Sequence, residues 1–141
     1  MDYISFEKVW QEDNLIELKI VASSEFASAY QNCYIQDVDL EIIAKRISEY
    51  AQNYKEVCYL EFGKKEGDFT PAFSMCILPA DMSGHLKIEV DIEIDDNSVR
   101  MHRCCFYVNS ELGLVEIFGQ SIRKLVLAEL GEMAVLNQLE Y

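Results

Sequence analysis

The run from Gly84 to Asp96, GHLKIEVDIEIDD, constrains this chain more than any other. Leu86, Ile88, Val90, Ile92 and Ile94 are apolar, and Lys87, Glu89, Asp91, Glu93 and Asp95 between them are charged. Successive side chains of a strand point to opposite faces, so the run predicts one greasy face and one mostly acidic face. No helix gives that period. A strand of this kind belongs in an antiparallel sheet with one side on a core and the other in water.

The rest of the chain supplies partners for it. Residues 3–10 and 15–22 read as two strands of a hairpin, with Ile16, Leu18, Ile20 and Ala22 on one face of the second. Residues 26–36 fit both periods and are assigned to strand. Leu40, Ile43, Ile47 and Tyr50 recur at helical spacing, which predicts a helix over 38–53, capped by Asp37 or Asp39. Residues 56–62 and 69–78 read as strands, and Pro71 is expected at an edge or bulge. The strand at 98–108 is expected to bulge at Cys104-Cys105 and to turn Arg100 and His102 toward the acidic row. Ser110 is expected to cap a helix over 111–127, in which Gly113 and Gly119 allow close approach. After Gly131, residues 132–139 are expected to form a short helix with Met133, Leu136 and Leu139 inward. No internal repeat is visible in the sequence.

These runs add up to a single α+β domain over 1–141: a twisted antiparallel sheet of about six or seven strands with two principal helices packed on it. The length suits one core, and 50% hydrophobic residues argue against disorder.

Charge narrows the partners. With 25 acidic residues against 12 Lys and Arg, the net charge is -13. Such a chain is repelled by nucleic acid and anionic membranes and attracts cationic proteins. Five cysteines, an odd number with no C-x-x-C pair, read as small buried hydrophobes. The start MDYISFEKVW has no signal-peptide pattern and no apolar run is long enough to cross a membrane, so a reducing cytoplasm is expected.

Little in the sequence points to chemistry. Asp81, Ser83 and His85 around Gly84 form the best polar constellation, a candidate pocket at Asp81 and His85. Asp-Met-Ser-Gly before a strand is also ordinary turn chemistry, and one His without a second ligand pair does not make a metal site. Cys104 and Cys105 lie near His102, but adjacent strand residues point apart. Glu111, close to the start of the last helix, suits a dipole partner better than a catalyst. No phosphate loop, nucleophile elbow or H-E-x-x-H is present. The expectation is therefore no catalytic residue, no cofactor and no metal. The acidic row is the surface to pursue, with Glu89, Asp91 and Glu93 as candidate partner-binding residues.

Asp81, Gly84 and His85 followed by LKIEVDI, then Phe106-Tyr107-Val108 and Ser110-Glu111-Leu112-Gly113, resemble a loose set of small bacterial proteins of unknown function that includes WapI-like immunity proteins of polymorphic toxin systems. The resemblance covers most of the chain as an order of elements. It implies a cytoplasmic, non-enzymatic protein whose cationic partner would be a toxin. A small enzyme or ligand-binding domain with a pocket near His85 and a homo-oligomeric structural module stay open as alternatives.

Overall fold

The structure, a computed structural model, describes residues 2–63, 72–94, 99 and 102–137. Among them the chain forms eight strands and two helices, in the order β1 (Tyr3–Glu12), β2 (Leu15–Ser23), β3 (Ser28–Gln36), α1 (Asp37–Gln52), β4 (Cys58–Phe62), β5 (Ala72–Ile77), β6 (His85–Ile94), β7 (His102–Glu111), α2 (Leu112–Leu125) and β8 (Met133–Leu136). The α+β class, the antiparallel pairing and the two principal helices are as expected. The strands, however, divide between two sheets, ordered β3-β2-β1-β8 and β4-β5-β6-β7. Alternation assigns each strand two faces but says nothing of which strand lies beside it.

The order of elements repeats. Three antiparallel strands, a helix and a fourth strand run from β1 to β4, and the same series runs from β5 to β8. Each half sends its fourth strand away. β4 pairs with β5 of the second half, and β8 pairs with β1 of the first. Local details follow the repeat. The first N–H of α1, at Asp37, donates to Asn14 O in the β1–β2 turn at 2.8 Å. The first N–H of α2, at Leu112, donates to Gly84 O in the loop between β5 and β6 at 2.9 Å. The residue after each fourth strand has positive φ: Gly63 at 81° and Asn137 at 66°.

Both sheets and both helices share one core. Phe6 of β1 meets Phe62 of β4, Phe73 of β5 and Phe118 of α2 edge-on, with ring centroids 4.9, 6.1 and 5.3 Å apart. Such edge-to-face pairs suit the aromatic quadrupole. Leu86, Ile88, Val90 and Ile92 of β6 are buried, as are Leu40, Ile43, Ile47 and Tyr50 of α1. The helices touch at Gly119, where an added Cβ would lie 2.8 Å from Ile47 Cγ2. Gly113 has open space around its Cβ position, so the expected close approach exists at only one of the two glycines.

Lys8 brings a charge into this frame. Lys8 of β1 is 1% exposed, and its Nζ donates to the carbonyl oxygens of Leu125, Val126 and Ala128 at 3.2, 3.1 and 2.8 Å. Those carbonyls end α2, where helical partners run out and the dipole favours a cation. Burial lowers the Lys8 pKa, and the charge of Glu132 opposes that shift.

Several local expectations are corrected. Residues 133–136 form strand β8, because the free edge of β1 offers Met133–Leu136 a full ladder. A four-residue helix would satisfy few of its own bonds. β7 runs through Cys104 and Cys105 in unbroken register. The irregularity falls in β1 instead, between Lys8 and Trp10. Neither helix has a side-chain cap: Gln36 and Glu111 hold the N-cap positions. Asp37 Oδ1 accepts from Val38 N, and Ser110 Oγ donates to Asn137 Oδ1 instead of capping. His102 stands opposite Ile94, not on the acidic row; Arg103 stands opposite Glu93. Arg100, Pro71 and Asp95 lie outside the described residues.

Candidate functional site

The acidic row from Lys87 to Glu93 lies on the outer face of β6, where each of these residues has a neighbour on β7. Lys87 Nζ donates to Asn109 Oδ1 at 2.8 Å, and Tyr107 Oη donates to Glu89 Oε2 at 3.0 Å. The guanidinium of Arg103 donates from Nε and Nη2 to the Asp91 carboxylate. Asp91 is 7% exposed, so of the three candidate partner-binding residues only Glu89 and Glu93 reach the surface in part. Asp91 holds the Arg103 pKa above its ordinary value, by hydrogen bonding and then by charge. Cys76 of β5 and Cys105 of β7 share this face. Desolvation raises the pKa of both thiols, and the charge of Glu89 adds to the shift. Neither therefore has the thiolate character of a nucleophile.

Asp81 stands in the loop that opens β6, and His85 is the first residue of that strand. Asp81 Oδ1 accepts from the backbone N–H of Ser83 at 2.8 Å and of His85 at 2.9 Å, and these bonds, the one from His85 foremost, lower the Asp81 pKa. The arrangement is an aspartate-centred turn. His85 Nδ1 is 3.8 Å from Asp81 Oδ2 and His85 Nε2 is 3.6 Å from Glu111 Oε1. The histidine and both carboxylates are more than half exposed. Among the described residues no cluster of three or more His, Cys, Asp or Glu is arranged to hold a metal ion.

The main concavity lies elsewhere. A cleft of about 800 Å³ opens between the end of β3 and the end of β4, with the exposed face of α1 along it. Tyr34 and Gln36 come from β3, Tyr59 and Glu61 from β4 and the residue after β4 is Gly63. The helix contributes Asp39, Ile42 and Arg46, at i, i+3 and i+7, which share one helix face. Tyr59 Oη donates to Glu61 Oε1 at 2.7 Å. The Asp39 and Arg46 side chains make no hydrogen bond or ion pair with another described residue. Neither Asp81 nor His85 lines this cleft.

Sequence reasoning did not find the cleft, because its residues come from four separate elements, β2, β3, α1 and β4. One signal was present. Val38 and Ile42 are apolar but lie off the stripe of Leu40, Ile43, Ile47 and Tyr50, and both are more than half exposed. An apolar residue on the wet face of an otherwise amphipathic helix marks a surface that something can cover.

No family model matches the chain, and no curated protein or solved structure matches it.

Proposed function

We propose that this chain is a non-catalytic protein-binding module whose partner is a cationic protein, with a toxin as the partner its resemblance implies. The observation that carries the reading is the composition of the cleft. It offers two carboxylates, one guanidinium and exposed apolar and aromatic groups, and its described lining holds no histidine, cysteine, serine or threonine; the hydroxyl of Tyr59 donates to Glu61. That set suits holding a ligand better than making or breaking a bond. The net charge of -13 adds long-range attraction for a basic partner. An enzymatic site at His85 has less support, since His85 sits exposed on a turn.

The test is capture of partners from the native host, followed by association kinetics at rising salt. A basic protein should be retained, and its association rate should fall as ionic strength rises, because screening shortens the field. Glu89→Lys with Glu93→Lys should lower that rate by about tenfold while the melting temperature stays put. Copurification of a small molecule in place of a basic protein would overturn the reading.

A further inference from the structure

The repeated topology gives the molecule two equivalent seams. One lies where the edge strand β3 of the first sheet nears the edge strand β4 of the second. The other lies where β7 nears β8. The second seam is stitched shut. Asn137, in the left-handed position after β8, donates from Nδ2 to Asn109 O at 2.7 Å and to Asp2 O at 3.0 Å. Its Oδ1 accepts from Ser110 Oγ at 2.7 Å, and Asn109 N donates to Asp2 Oδ2 at 2.8 Å. The equivalent position after β4 is Gly63, with the same sign of φ and no side chain. No described residue plays the part of Asn137 there, and the cleft of about 800 Å³ stands at that seam.

We infer that the open seam between β3 and β4 receives an extended basic segment of a partner protein. This deepens the protein-binding reading and rests on it. Four properties of the seam fit such an occupant. Both walls are sheet edges, and no described strand pairs with the outer side of β3 or β4, so main-chain groups are available for an added strand. Asp39 and Glu61 offer carboxylates, and Tyr34 offers a ring face, for Lys or Arg side chains. Arg46 offers donors with no described acceptor, and peptide carbonyls would supply one. Ile42, on the same helix face as Asp39 and Arg46, gives alternate apolar side chains a surface to cover.

The probe is a fluorescent octapeptide that alternates Lys and Val, titrated against the full chain. It should bind at least tenfold more tightly than a Glu–Val counterpart, and at least tenfold more tightly than a Lys–Pro peptide of equal charge that cannot donate to a sheet edge. Asp39→Asn with Glu61→Gln, both at exposed positions, should weaken it at least fivefold. Gly63→Asn, which the left-handed backbone accepts, should weaken it as well. Glu25→Gln with Glu129→Gln, both at exposed positions that do not line the cleft, should leave it within twofold.

Equal binding of the Lys–Pro peptide would overturn the inference, because charge alone would then explain attachment. So would a loss confined to the Glu25 and Glu129 variant, or no binding. A captured basic partner that binds the Asp39→Asn, Glu61→Gln protein as it binds the wild type would sink the seam and leave the protein-binding reading standing. Failure to capture any basic protein would sink that reading instead.

Discussion

Gly119 of α2 and Ile47 of α1 set the distance between the two helices: a Cβ on the glycine would stand 2.8 Å from Ile47 Cγ2 and 3.2 Å from Ile47 Cβ. The neighbouring atoms belong to a β-branched core side chain that is 0% exposed, so they have little room to give. Helix propensity alone would favour alanine at this position by about 1 kcal/mol. Overpacking costs about 1–3 kcal/mol and wins. Gly119→Ala should therefore lower the denaturation midpoint. Gly113→Ala, in open space, should raise it by up to about 1 kcal/mol. Chemical denaturation of the two variants checks this, and Ile47→Ala, which removes Cγ2, should cost less in the Gly119→Ala background than in the wild type.

Asp91 and Arg103 form an ion pair with one buried end. The carboxylate side chain is 10% exposed, whereas the guanidinium side chain is 64% exposed. Removing the cation leaves a carboxylate that burial penalises, so Arg103→Met should destabilise the domain by about 1–3 kcal/mol. Glu89→Ala, which loses one surface contact to Tyr107, should cost no more than about 1 kcal/mol. Thermal melts compare the two. A larger effect at Glu89 would reverse the burial assigned to this face. Charge reversal aimed at the partner surface must therefore leave Asp91 alone.

Lys8 serves as the C-terminal cap of α2. The residue after that helix is Val126 in the right-handed helical region, and no glycine turns the chain there. In Lys8→Met the carbonyls of Val126 and Ala128 would lose their donor, while Leu125 O would keep the N–H of Ala128. A loss of about 1–3 kcal/mol is expected, from unsatisfied acceptors partly offset by relief of the buried charge. Amide exchange should show faster opening at residues 122–128 in the variant, with β6 protected as before.

Alkaline pH should unfold the protein early. Burial pushes the Cys33 thiol from 9.0 up to about 12 and the Tyr50 phenol from 10.0 up to about 12. Above about pH 9 the unfolded chain releases these protons while the native chain keeps them. Their contribution is thus whole below pH 9 and is lost as pH rises toward 12. Tyr50→Phe should remove the share lost between pH 10 and 12, and should cost about 1 kcal/mol at neutral pH with the bond to Leu78 O. A thiol reagent should label Cys105, which is exposed, long before Cys33.

The strands were legible where one face is buried and one is wet. Leu86 to Ile94 is the clearest case, and Ile16 to Ala22 another, because burial of every second side chain leaves its mark in the order of residues. What was not legible depends on neighbours far along the chain. Nothing in Met133–Leu136 announces that β1 will have a vacant edge, and Met133, Leu136 and Leu139 share helical spacing by accident of three residues. Cys104-Cys105 looked like a fault in alternation, but cysteine is small and mildly polar enough to occupy either face, so the register passes through it. The partner of Asp91 was sought in Arg100 and His102. Register, which strand patterning leaves open, gave that place to Arg103. The cleft was hidden for the same reason: Tyr34, Asp39 and Tyr59 meet only because two sheets end side by side.

The exchange of fourth strands also bears on how the chain is made. β1 leaves the ribosome well before its neighbour β8, which begins only at Met133. At about 5–20 residues per second, roughly 10 s separates the two. Through that interval one side of β1 has no ladder, in a strand that carries Ile4 and Phe6. A nascent chain in that state can pair with its neighbours on the same message. Slow translation of the second half, or a stop codon just before Met133, would therefore show itself first as insoluble protein, well before any change in the folded product.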